Sequence, residues 1–160
     1  MAQCQQKLGK IAEAAALYEK FIKDHAGSTQ EIEARFRLGE CRLAEGNLKL
    51  ARRTWQDLLA KYPDSQSERI AESQYNLART WQIPRPSNEE ELNLGTAALQ
   101  AFIERFPTHK LASKAHLEIA GSFIFRGRFE DAVTALKRFL ADERYKDREE
   151  IPDARNLLGL

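Results

Sequence analysis

The side chains able to do chemistry are few and scattered. His25, His109 and His116 are the only histidines. None stands four residues from another, and none clusters with Cys4 or Cys41, so the sequence offers no spacing that puts several ligands on one metal. No G-x-S-x-G elbow presents a serine nucleophile. Glu89, Glu90 and Glu91 could be paired carboxylates for acid–base work, but three acids at the head of a helix more simply complement its dipole. Arg35, Arg37, Arg42, Arg52 and Arg53 are dense, yet Glu31, Glu33, Glu40 and Glu45 lie among them. That alternation reads as a solvated ion-pair surface rather than a phosphate-binding stripe. No catalytic residue, metal or cofactor is expected, and the chain is not read as an enzyme.

The elements that must carry any function are helices. Ala, Leu, Glu, Lys and Arg make up about half of the 160 residues, and valine occurs once, a composition that favours helix and disfavours a large sheet. Twenty-five basic and 24 acidic residues leave a net charge of +1, which excludes the global basic field of nonspecific nucleic-acid binders. No run reaches the roughly 18 apolar residues of a membrane span. The opening MAQCQQKLGK has no apolar h-region, so it is not a signal peptide and Cys4 is not a lipoprotein acceptor.

The helices repeat. Ala34-x-x-x-Leu38-Gly39 recurs as Ser73-x-x-x-Leu77-Ala78, Ala115-x-x-x-Ile119-Ala120 and Ala154-x-x-x-Leu158-Gly159. Between these first-type segments runs a second set. Ala14, Tyr18, Phe21 and Ile22 correspond to Ala51, Trp55, Leu58 and Leu59, then to Gly95, Leu99, Phe102 and Ile103, then to Ala132, Leu136, Phe139 and Leu140. Offsets of 4, 7 and 8 keep each set on one helical face. Gly9, Gly46 and Gly127 suit left-handed C-caps between the two helix types, and Pro63 and Pro107 close second-type helices. Ser28 with Glu31, Ser65 with Glu68, and Ser87 with Glu90 read as helix-opening caps. The predicted helices are 2–8, 11–24, 29–45, 48–62, 66–82, 88–106, 109–126 and 129–142, with a stub at 152–159.

The array therefore reads as one domain, 1–160: a partial repeat 1–27, repeats 28–64, 65–107 and 108–147, and a partial repeat 148–160. The third differs from the others, with an inserted loop at 82–91 containing Pro84 and Pro86. That loop is either a tolerated insertion or a contact for a partner. Cys4 and Cys41 occupy equivalent places whose counterparts, Thr80 and Ser122, are also small. Both are expected to be packed, unpaired thiols, because neighbouring helix axes about 8–10 Å apart exceed the Cα separation of a disulfide.

The small residue before the turn glycine, the alanine after it, the aromatic four residues on and the closing proline resemble the tetratricopeptide repeat (TPR) family across nearly the whole chain. Phe102-Ile103-Glu104-Arg105-Phe106-Pro107 and Tyr62-Pro63-Asp64-Ser65 resemble the envelope subgroup of bacterial TPRs, the BamD-like and periplasmic Tol-associated chains. The sequence departs from the family at Arg35 and Arg42, where many members have aromatics, at Gly95 in place of alanine, and at Arg144 in place of the closing proline. The resemblance implies an all-α fold, a right-handed α-solenoid of helix-turn-helix repeats, whose function is protein interaction without catalysis.

It also implies that one side of the first-type helices lines a concave groove. Phe36, Tyr75 and Leu117 fall about 200° from the small-residue face, with Glu40, Arg79, Gln82, Lys114 and Ile124 beside them. These eight are the candidate partner-binding residues. Phe36, Tyr75 and Leu117 either contact a peptide or partner helix, or pack against neighbouring helices. The groove lacks the Lys/Asn set of the carboxylate-clamp TPRs, which disfavours an EEVD-like C-terminal ligand. The alternative reading is a structural spacer inside a larger envelope protein. Partial repeats at both ends suggest a fragment of a longer bacterial protein, able to self-associate through those ends.

Overall fold

The computed structural model describes residues 9–159. Among them are eight α-helices, one short 3₁₀ turn and no strand. The helices are α1 (Ile11–Asp24), α2 (Glu31–Ala44), α3 (Leu48–Lys61), α4 (Glu68–Arg79), α5 (Glu89–Arg105), α6 (Ala112–Phe125), α7 (Phe129–Leu140) and α8 (Ile151–Leu158), with the 3₁₀ turn at Glu143–Tyr145. Every described helix agrees with its predicted span to within three residues. The predicted helix 2–8 and the expectation for Cys4 lie outside the described residues. Cys41 is buried and free, and burial pushes its thiol up to about 11.

Gly46 and Gly127 take φ of +74° and +73°. The backbone N–H groups that follow them, on Asn47 and Arg128, donate back to Arg42 O at 2.9 Å and Phe123 O at 2.8 Å. These are the left-handed helix ends expected of the glycines.

The capping expectations need correction. The Glu31 carboxylate does not reach the Ser28 N–H, which donates to His25 O at 3.1 Å; it accepts the Gly27 N–H at 2.6 Å. Ser65 Oγ accepts the Ser67 N–H at 3.3 Å inside the loop, and Ser67 precedes α4. At α5 the register is one residue later than expected. Asn88 Oδ1 accepts the Glu91 N–H at 2.8 Å, and the Glu91 carboxylate accepts the Ser87 N–H at 2.8 Å. Asparagine caps as well as serine, so composition alone could not choose between neighbours.

The chain divides into two compact units, 1–80 and 81–160. Within the first, α1 and α2 bury Ala14, Ala15, Tyr18, Ala34, Leu38 and Cys41 together. The α2 and α3 pair closes around Trp55, which has no exposed surface. Its indole lies where a Cβ on Gly39 would stand, and its Nε1–H donates to Phe36 O at 3.3 Å. Arg52 on α3 donates to Thr80 Oγ1 at 3.1 Å and Thr80 O at 2.7 Å, tying α3 to the end of α4.

The second unit repeats the plan 81 residues further on: Ala34 and Ala115, Leu58 and Phe139, and Ile70 and Ile151 are all buried. The insertion is part of its core. Ile83 and Pro86 are buried, Ile83 occupies the space beside Gly95, and Gln82 takes a left-handed φ of +57°. Gln82 Nε2 donates to Ser87 Oγ at 3.0 Å and to the Glu91 carboxylate at 2.9 Å, folding the loop onto α5. Gly95 thus departs from alanine because the loop fills its methyl's place.

Gly39→Ala and Gly95→Ala should each destabilise by about 1–3 kcal/mol through overpacking. Gly121→Ala should be neutral or stabilise by up to about 1 kcal/mol, since an added Cβ meets nothing within 4 Å. Adding Trp55→Leu to Gly39→Ala copies the Ala120 and Leu136 pair of the second unit and should recover part of the loss. Chemical denaturation of these four variants and of Trp55→Leu alone checks this; full additivity of the Gly39→Ala and Trp55→Leu substitutions would refute the Gly39–Trp55 contact.

Candidate interaction surfaces

Glu31 is the most constrained polar group in the first unit. It has no exposed surface yet stays charged. Its carboxylate accepts from Arg35 Nε at 2.6 Å, Lys61 Nζ at 2.6 and 2.7 Å, Tyr62 Oη at 3.1 Å and the Gly27 N–H at 2.6 Å. Burial alone pushes its pKa up; these donors outweigh burial and hold it at about 2 rather than 4.5. One side chain therefore joins the α1–α2 loop, α2 and the end of α3.

The expected ion-pair surface is present only in part, at Glu33, Arg37 and Glu40 on α2. Glu31 is buried rather than solvated, Arg42 and Arg52 reach Glu19 and Thr80 instead, and the pairs extend to Arg69 and Glu72 on α4. Arg37 donates to Glu33 and Glu40, both at 2.8 Å. Arg69 donates to Glu33 and Glu72, both at 2.5 Å. The two guanidiniums lie 5.3 and 4.8 Å from the Phe36 ring centroid. Phe36 and Tyr75 are buried, at 3% and 5% exposure, while Glu40 is half-buried and Arg79 exposed. In the second unit Lys114 and Gln82 are exposed, and Leu117 and Ile124 are half-buried on α6. Gln82 spends its amide on the loop, as described above.

A surface that the sequence reading missed lies on the opposite side of α6. There α5 and α7 flank a groove of about 420 Å³ floored by His116, Ile119 and Phe123. The corresponding place in the first unit is crossed by Arg42. This arginine donates to Glu19 Oε1 on α1 at 2.5 Å and to Thr54 Oγ1 on α3. The residues 81 positions on are Phe123, Gln100 and Ala135, which cannot form that bridge. The repeat register held the signal, but only once both copies were compared position by position.

His116 replaces Arg35 in the same register. Its ring stacks on Phe139 at 4.8 Å and meets Tyr145 edge-on at 5.1 Å. Tyr145 Oη donates to Pro107 O at 2.7 Å. Burial lowers the His116 pKa to about 4, with Arg144 and Arg138 adding to the effect and Asp142 opposing it. His25 stacks on Phe21 at 4.4 Å, and His109 Nδ1 accepts the Leu111 N–H at 3.1 Å; both act at helix ends. Among the described residues no group of three His, Cys, Asp or Glu is placed to hold a metal ion, and no helix is long and apolar enough to cross a membrane.

Comparison with known proteins shows what the chain is similar to. The family model described as tetratricopeptide repeat matches residues 1–28 and 33–65. No curated protein sequence matches the chain. Solved structures share the fold. The nearly identical TPR-like repeats of a Podosopora anserina putative kinesin light chain align with a TM-score of 0.67 at 18% identity, covering 99% of this chain and 83% of that one. MamA aligns with a TM-score of 0.69 at 19% identity, over 93% and 73% of the two chains. The 41-to-end form of MamA from Desulfovibrio magneticus RS-1 aligns at 0.66 and 11% identity, over 99% and 87%. The repeat match covers part of the first unit of the chain, and these likenesses show the fold. Its fold is all-α and TPR-like; the BamD-like attribution finds no counterpart among these matches.

The two units should respond to acid in different windows. His116 holds a folded value of about 4 against 6.5, so its contribution is complete above pH 6.5 and is lost as pH falls toward 4. Glu31 holds about 2 against 4.5, so its contribution is complete above pH 4.5 and is lost only toward pH 2. Each effect is worth up to about 3 kcal/mol. Hydrogen exchange along a pH series should show α6–α8 amides loosening before those of α1–α3. His116→Phe should remove the earlier change; its persistence in that variant would exclude His116 as the source.

Proposed function

We propose that the chain is a non-catalytic protein–protein interaction module that holds a peptide or partner helix on its first-type helices. Tetratricopeptide repeats generally mediate protein–protein interaction, and the repeat match supports this reading. The observation that carries it is a second apolar stripe on helices whose small-residue face is already buried. Ala34, Ser73 and Ala115 are enclosed, yet Phe36, Tyr75, Leu117 and Ile124 lie on the other side. An apolar stripe flanked by charges suits an amphipathic helix or extended peptide. In this reading Phe36 and Tyr75 support the surface of the first unit from beneath while Glu40 and Arg79 give its polar contacts. In the second unit Lys114, Leu117 and Ile124 present the stripe, and Gln82, whose amide is held by the loop, offers only its carboxamide oxygen.

A second reading is favoured by one observation. Phe36 and Tyr75 are already packed, which suits a structural spacer within a larger envelope protein. The Tyr62-Pro63-Asp64-Ser65 ending supports the envelope setting. Charge reversal separates the two readings. Arg79→Glu with Lys114→Glu should weaken capture of a cognate partner at least about tenfold, with helicity unchanged by circular dichroism. Unchanged affinity would leave the spacer reading in place.

A further inference from the structure

The groove on the second unit calls for an occupant, and the first unit shows what chemistry fits. There Arg42 spans the equivalent space, held by a carboxylate on one flanking helix and a threonine hydroxyl on the other. In the second unit Phe123 stands where Arg42 would be, and the space between α5 and α7 is open. We infer that this groove receives an arginine side chain presented by a partner peptide.

The walls and floor carry the matching groups. Gln100 donates its amide to Glu104 Oε1 at 3.0 Å, which orients both side chains along one wall. Its carboxamide oxygen and the Glu104 carboxylate are acceptors for a guanidinium. Thr134 Oγ1 donates to Glu130 O at 2.9 Å, so its lone pairs accept from the groove. The Phe123 ring on the floor suits a planar guanidinium better than a lysine ammonium, whereas His116 is stacked on Phe139. One arginine of this chain already uses the upper end. Arg128 lies 5.2 Å from the Phe123 ring centroid and donates to Asn93 Oδ1 at 3.4 Å. Its charge is answered by Asp131 at 2.7 Å and Glu89 at 3.6 Å. His116, with its lowered pKa, is neutral at pH 7. Arg138, exposed on the α7 rim, is the cation on the lower wall that opposes the guest. This surface faces away from Lys114, Leu117 and Ile124, so the inference stands apart from the first-type stripe.

The test is an NMR titration of the full chain at pH 7 with blocked Gly-Arg-Gly, following the amides of Thr96, Gln100, Ile119 and Thr134. Citrulline, lysine and glutamate peptides of the same frame serve as comparisons. The arginine peptide should shift these amides saturably, ahead of lysine, with citrulline and glutamate inactive. Glu104→Gln, a surface change that leaves the fold intact, should weaken binding about tenfold, and Arg138→Gln should strengthen it. The triple variant Gln100→Glu, Phe123→Arg, Ala135→Thr rebuilds the bridge of the first unit and should abolish the titration while raising the thermal midpoint. Absence of saturable shifts, an equal response to citrulline, preference for glutamate, or unchanged affinity of Glu104→Gln would overturn the inference.

Discussion

A carboxylate with no exposed surface sets the terms for the first unit. Removing Glu31 from water is unfavourable by several kcal/mol unless its lone pairs are answered, and four separate groups answer them. The α1–α2 loop, the first turn of α2 and the end of α3 are therefore fixed by one demand for donors. The aliphatic core could tolerate small slips of these segments; the ion cluster cannot, because its donors arrive from three separate places along the chain, Gly27, Arg35 and the Lys61–Tyr62 pair. The ladder along α2 and α4 builds outward from the same helix, with Glu33 bridging Arg37 and Arg69 above the Phe36 ring.

The second unit solves the same joint without the buried charge. At the positions of Glu31, Arg35 and Lys61 it carries Ala112, His116 and Asp142. An aromatic stack of His116, Phe139 and Tyr145 takes over the packing, and the Tyr145 hydroxyl gives the hydrogen bond back to the preceding loop. Replacing a buried ion pair by well-packed neutral groups is often neutral or favourable, so neither solution is imposed by the fold. The exchange alters what each unit offers to solvent. With Arg35 and Arg42 in place, the first unit satisfies its own crevice. With His116 and Phe123 there, the second leaves its crevice open.

Much of this architecture was legible in the sequence. Apolar periodicity, the left-handed glycines and the closing prolines located the helices, because those signals are local and repeat. The burial of Ala34, Ser73 and Ala115 followed from the same periodicity. What was not legible depended on contacts between residues far apart in the chain. Glu31 looked like a capping residue because its partners Lys61 and Tyr62 sit some thirty positions away. Gly95 looked like a departure from pattern because Ile83 fills its space from a loop that follows no repeat. Phe36 and Tyr75 are buried, a depth that the sequence could not give because it depends on side chains such as Arg37 and Arg69 beside the Phe36 ring. The groove on the second unit was invisible to a search for apolar stripes, since its walls are polar and its floor is the ordinary core face of α6.

The folded-back insertion has a consequence for how such a chain can change over generations. Ile83 and Pro86 lie in a connection, yet they complete the interior at α5. A sequence that lost the insertion would leave a hole beside residue 95, and one with alanine at 95 would crowd Ile83. Neither step is tolerated alone as readily as both together. Loop length and the size of residue 95 should therefore be inherited as a linked pair, with glycine accompanying the long connection and alanine the short one.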